Sequence, residues 1–123
     1  MAGGQQRVGR ITPRVKALLE LSCHDNAPIY MGAANIAHMQ TEHPKAYAKY
    51  GALIPQILRA PDYVGKNPKD NSIEYVKEFL TERDYVKVAV RVSAGGTFFA
   101  RTLYVLQPNR VNNFIQKGTL KRV

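Results

Sequence analysis

Near Pro61 the spacing of apolar residues changes from helical to alternating, and this switch constrains the fold more than any other feature of the chain. A helix repeats every 3.6 residues and a strand every two, so one backbone cannot satisfy both patterns. Segments such as YVKVAVRVS alternate over their whole length, whereas Val15, Leu18 and Leu19 mark a helical stripe. The reading is therefore an α+β fold in which N-terminal helices pack on a roughly four-stranded antiparallel sheet.

Local signals give the expected elements. Thr12 followed by Pro13 is an N-cap with proline at the first helical position, which predicts a helix over 13–22. Residues 24–28 read as a turn and 29–31 as a short extended piece. A second helix opens at Ala34 or Asn35 and runs to Glu42, where Pro44 forces the residue before it out of the α region. Residues 45–59 read as further helix, broken at Gly51 and Pro55. Strands are expected at 73–80, 85–93 and 97–107, with an edge strand at 62–65. A short helix around Val111, Phe114 and Ile115 should end at Gly118.

At 123 residues the chain fits one domain. Residues 1–10 are expected to form a flexible N-terminal arm or the remnant of an expression tag, because GGQQ is similar to part of a common one; residues 11–123 form the domain. Lys and Arg outnumber Asp and Glu by 18 to 9, and the excess is spread along the chain. Such a surface attracts polyanions, nucleic acid first, although a merely soluble basic protein has the same balance. Cys23 is the single cysteine, which excludes an internal disulfide and a cysteine-based zinc cluster. Despite the neighbouring His24 it reads as structural. No apolar run has the length of a membrane span and the start lacks a secretory stretch, so a cytoplasmic protein with no membrane partner is expected.

Alternation puts Val86, Val88, Val90 and Val92 on one face and Tyr85, Lys87, Ala89 and Arg91 on the other. With the valines towards the helices, the expected open face gathers Tyr75, Lys77, Lys87, Arg91, Thr102 and Tyr104. Interleaved cations and rings suit RNA, since cations meet phosphates and rings stack unpaired bases. A solvated face with Tyr and Lys cross-strand pairs is the alternative. Arg101 falls on the apolar parity of its strand, which requires an edge cap, a bulge or a different face assignment there. His43 stands at a helix C-terminus, whose dipole favours an imidazolium, and His38 points away from it. Their spacing lacks zincin geometry, so no metal and no other cofactor is expected.

The runs IYMGAANIAHMQTEHP, YGALIPQILRAPDYVGKNPKDNSIEYVKEF, YVKVAVRVS and FFARTLYVLQPNRVNNFIQKGTL span nearly everything from Ile11 to Leu120. In that order they resemble phage-type members of the barnase, EndoU, colicin and RelE-like nuclease superfamily. The resemblance implies helices followed by a four-stranded antiparallel sheet whose exposed face cuts RNA with a histidine, a basic residue and a Ser or Thr. Carried over, it implies His43, Lys77, Arg91 and Thr102 as catalytic, with His38, Tyr75, Lys87, Arg101 and Tyr104 binding substrate. The late strands offer no obvious carboxylate to serve as general base. The implied activity is a toxin-like, metal-independent endoribonuclease in which the RNA 2′-hydroxyl attacks its own phosphate and leaves a 2′,3′-cyclic phosphate. RNA is the implied partner, together with an antidote or inhibitor protein. A non-catalytic RNA binder and a phage-encoded protein inhibitor are the competing readings.

Overall fold

The computed structural model describes residues 5–123. In chain order its elements are β1 (Gln6–Ile11), α1 (Pro13–Leu19), β2 (Ala27–Met31), α2 (Ala33–Glu42), α3 (Pro44–Tyr50), a 3-10 turn (Gly51–Leu53), α4 (Ile54–Arg59), β3 (Tyr63–Lys66), β4 (Ile73–Phe79), β5 (Asp84–Val92), β6 (Phe98–Leu106), α5 (Pro108–Gln116) and β7 (Leu120–Arg122).

The sheet has seven strands in the order β1-β2-β6-β5-β4-β3-β7, antiparallel throughout except for the parallel pair β2-β6. This overturns the expectation of a four-stranded antiparallel sheet preceded by helices. Two strands precede or interrupt the helices, and a seventh closes the far edge. The missed strands carry weak signals: β1 holds Gly9 and a register shift between Arg7 and Gly9, β2 is five residues long and contains Pro28, and β7 has three residues. Residues 6–10, expected to lie outside the fold, form most of the edge strand β1; residues 1–4 of that expected arm are outside the described residues.

Helix termini follow their capping chemistry. The Thr12 hydroxyl accepts from the Val15 N–H at 3.3 Å, and the chain leaves α1 through Glu20 at φ 53°. At Gly32 the N–H donates to the Asn35 side chain at 2.9 Å, opening α2. The α2–α3 joint is His43, held in a non-helical conformation (φ −138°, ψ 60°) by the proline that follows. Its N–H still donates to Met39 and its carbonyl already accepts from Tyr47, both at 2.9 Å, so the joint is fixed from two sides.

One sheet face packs against α1–α4 around Ile29, Met39, Ile54, Ile57, Tyr75, Val86, Val88 and Leu103. A smaller cluster of Val76, Leu106, Val111 and Leu120 lies on the opposite face, where α5 docks. Gly65 allows β7 to close on β3, because a Cβ there would stand 2.3 Å from the Thr119 carbonyl oxygen.

Tyr75 belongs to the helix-facing core, fully buried, and its hydroxyl has no hydrogen-bond partner among the described residues. Burial, and secondarily Cys23, raises its pKa. An unpaired buried hydroxyl costs about 1–3 kcal/mol. Tyr75→Phe, which removes only that oxygen, is therefore expected to leave stability unchanged or raise it by about 1 kcal/mol, read as the urea midpoint at constant slope. A loss of more than about 1 kcal/mol would reveal a partner for the hydroxyl.

Candidate active site

A β-bulge in β6 decides which side chains reach the face opposite α1–α4. Val90 pairs with Ala100 but Ala89 pairs with Thr102, leaving Arg101 as the extra residue. Before it, Phe98 and Ala100 lie on the valine face. After it, parity inverts: Leu103 joins the valines, while Thr102, Tyr104 and Leu106 stand beside Ala89, Lys87 and Tyr85 on the other side. Of the three explanations for Arg101, the bulge is the one observed, and the Arg101 side chain is exposed there.

Across strands this face carries a connected row. Lys87 and Glu74, diagonal neighbours on β5 and β4, form a 2.6 Å ion pair whose side chains are 8% and 7% exposed. Asn67 donates to the same Glu74 oxygen at 3.4 Å. The Lys87 ammonium also lies 4.7 Å from the centre of the Tyr104 ring. On Tyr104 stacks the His43 ring, with centroids 5.2 Å apart and planes at 26°. The order is Glu74, Lys87, Tyr104, His43, running from β4 across the sheet to the α2–α3 joint. Burial alone would lower the Lys87 pKa, but the Glu74 carboxylate and the Tyr104 hydroxyl outweigh it and raise the value, so the ammonium stays charged.

Lys87, Thr102, Tyr104 and Arg91 thus share one face, which His43 reaches through its stack on Tyr104, and Arg91 is exposed there. Tyr75, Lys77 and His38 are not among them. Tyr75 and Lys77 pair with Val88 and Val86 and therefore face the helices. Tyr75 is buried, out of reach of a base, and the Lys77 ammonium donates to the Ala60 carbonyl at 2.8 Å. The cause is register: once Val86, Val88 and Val90 turn inwards, their partners on β4 must follow, whatever their polarity. His38 is exposed on α2 and joins no hydrogen bond or ring contact of the row among the described residues. Cys23 packs against the main core as a free thiol, partly exposed.

Glu74 is the residue that sequence reading missed. It belongs to the alternate set of β4, and the signal was available: Ile73, Tyr75 and Phe79 make the more apolar set, which leaves Glu74 on the face with Lys87.

The row lies on the sheet face opposite α1–α4, beside the cluster under α5: Lys87 and Glu74 are buried, and His43, Thr102 and Tyr104 are half-buried. Two hollows of about 580 and 770 Å³ occur elsewhere, and neither is lined by His43, Lys87 or Tyr104. A row of imidazole, phenol, ammonium and carboxylate that crosses strands outside these hollows suits an extended molecule laid along the sheet better than a small molecule enclosed in a pocket.

Among known proteins, residues 6–113 match the family model described as phage-Barnase-EndoU-ColicinE5/D-RelE like nuclease 3. No curated protein and no solved structure gives a match.

Buried ion pairs add little net stability against an apolar pair of similar size, whereas removing one partner strands a charge. Glu74→Ala is therefore expected to destabilise the fold by about 3–5 kcal/mol, and the double change Glu74→Leu with Lys87→Met by far less. Urea unfolding of the two variants checks this; equal losses would mean that the pair is needed for stability itself.

Proposed function

The chain belongs to the phage-Barnase-EndoU-ColicinE5/D-RelE like nuclease family, and from that membership we propose that it is a metal-independent endoribonuclease. The observation that carries this reading is the His43–Tyr104–Lys87–Glu74 row on the face opposite α1–α4. In the proposed reaction the RNA 2′-hydroxyl attacks the adjacent phosphorus, the bond to the 5′ oxygen breaks, and a 2′,3′-cyclic phosphate remains. The protein has to remove one proton, supply another and stabilise charge on the phosphate.

Glu74 and His43 stand at the two ends of the row, with Tyr104 two strand spacings of about 4.8 Å each from the strand of Glu74 and the His43 ring 5.2 Å from Tyr104. In-line displacement calls for such an arrangement, because attacking and leaving oxygens lie on opposite sides of phosphorus. We assign Glu74 to accept the 2′ proton and His43 to protonate the leaving oxygen. An arriving phosphodiester competes for the Lys87 ammonium and frees the carboxylate it holds. Lys87 and Arg91 then stabilise the phosphate, the Thr102 hydroxyl orients it, and Tyr104 fixes the imidazole plane. Lys87 thus takes the role that sequence assigned to Lys77.

RNA should be cut in the presence of EDTA, DNA should be spared for want of a 2′-hydroxyl, and the cut ends should carry cyclic phosphate. His43→Ala should lower turnover by about 10²- to 10⁴-fold with RNA binding little changed, Glu74→Gln should lower it similarly while tightening binding because the competing carboxylate is gone, and Lys87→Ala should lose both. Gel assays with end analysis and binding titrations separate these outcomes. A folded His43→Ala variant that cuts at the wild-type rate overturns the assignment; a wild type that binds RNA without cutting it is a binder instead.

A further inference from the structure

Beside the reactive row, the same sheet face carries a second row. Arg7 of β1 pairs with Tyr30 of β2, Tyr30 with Phe99 of β6, and Phe99 with Arg91 of β5. Directly paired residues project to one side of a sheet, so these four form a line across four strands, cation, ring, ring, cation. The Tyr30 and Phe99 rings meet at 6.5 Å between centroids, tilted by 50°. Their side matches the reactive row because Arg91 and Lys87 are four residues apart on the unbulged strand β5.

A second bulge builds the outer end of the line. Arg7 pairs with Tyr30 and Gly9 with Ile29, so Val8 is the extra residue of β1 and turns into the core. Arg10, opposite Pro28, is thereby brought to the same face as Arg7, although three residues separate them. Strands β1, β2 and β6 contain no Asp or Glu, and among the described residues Arg7, Arg10, Arg91 and Arg101 enter no salt bridge. Arg91 acts on Asp70, whose carboxyl lies below the usual range chiefly through the Ser72 N–H bond, with the arginine a smaller cause.

We propose that the Arg7–Tyr30–Phe99–Arg91 row is a platform for single-stranded RNA, which seats unpaired bases on the two rings and phosphates on the terminal arginines. This rests on the endoribonuclease reading and adds the substrate class: RNA that is unpaired beside the cleaved bond. Three strand spacings make the row about 14 Å long, enough for two stacked bases between flanking phosphates. A duplex presents no free base faces and is excluded. The platform reads rings and phosphates and no 2′-hydroxyl, so single-stranded DNA should occupy it without being cut.

The test pairs binding with cutting. Tyr30→Leu with Phe99→Leu keeps apolar bulk and removes the stacking faces; Arg7→Gln, on an exposed edge residue, changes the line without touching the core. Circular dichroism and thermal unfolding first establish that each is folded. For a ten-nucleotide single-stranded RNA, the ring variant should bind about ten- to a hundredfold more weakly and Arg7→Gln more weakly with a reduced salt dependence. Cleavage of a dinucleotide, too short to reach the row, should be unchanged. Single-stranded DNA should inhibit wild-type cutting of the long RNA and inhibit the ring variant far less. Wild-type binding by both folded variants, or equal loss on long and dinucleotide substrates, overturns the platform. Binding that depends on the row in a wild type that never cuts overturns the nuclease reading and leaves the platform standing.

Discussion

The extra residue at Arg101 is the constraint on which the arrangement of this molecule depends. Strand β6 has to supply Phe98, Ala100 and Leu103 to the main core and also Thr102, Tyr104 and Leu106 to the opposite face. A regular strand cannot do both, because its period of two would send Ala100, Thr102 and Tyr104 to one side. One inserted residue inverts the parity midway along the strand. The polar half then meets Lys87 and His43, and Leu106 becomes available to the cluster under α5. Strand β2 stops at Met31, having paired with β6 only at Phe98 and Phe99, and α2 packs against β6 beyond it. The histidine reaches Tyr104 because Pro44 breaks the helical path at that point.

The Lys87–Glu74 pair sits almost without solvent in a sheet that could have filled the same volume with apolar side chains. Taking both charges from water costs several kcal/mol per ion, and their attraction recovers this only when the remaining hydrogen-bonding capacity is met. Here Asn67 and Tyr104 supply part of what water would have given. Such a pair is poised for exchange: a second anion brought to the ammonium competes with the carboxylate directly. In the proposed reaction that exchange would release both a cation for the phosphate and a base for the proton.

The sequence disclosed the periodic elements well and the face assignments unevenly. The change of period at Pro61, the cap at Thr12–Pro13 and the break at His43–Pro44 are local effects, fixed by residues within a turn of one another, and each appears where expected. Strand β1 escaped notice and β2 read only as an extended piece at 29–31, because a bulge, a glycine and a proline erase alternation in segments too short to show it otherwise. Tyr75 and Lys77 were assigned outwards on polarity, yet polarity does not choose a strand's face when the neighbouring strand carries three inward valines. Cross-strand register made that choice, and it put Glu74 on the open side. Arg101 announced its bulge as a parity violation; only the partner strand could say how the violation is resolved.

The strands that a four-stranded reading omitted also change the reach of the open face. Strands β4, β5 and β6 suffice to hold Glu74, Lys87, Thr102 and Tyr104, so these residues require no more than the expected sheet. Strands β1 and β2 contribute no member of that row; they bring Arg7, Arg10 and Tyr30 alongside Phe99 and Arg91. Both halves of the face rely on the same device, a single added residue that turns side chains of one parity to the opposite side, at Val8 and at Arg101. Two bulges on one sheet, each placing cations or rings on the face away from α1–α4, form a continuous surface whose charge has no acidic counterpart on three of its strands. In the proposed function such a surface is the path of an extended anion towards His43 and Tyr104, and its course is set by register rather than by loops.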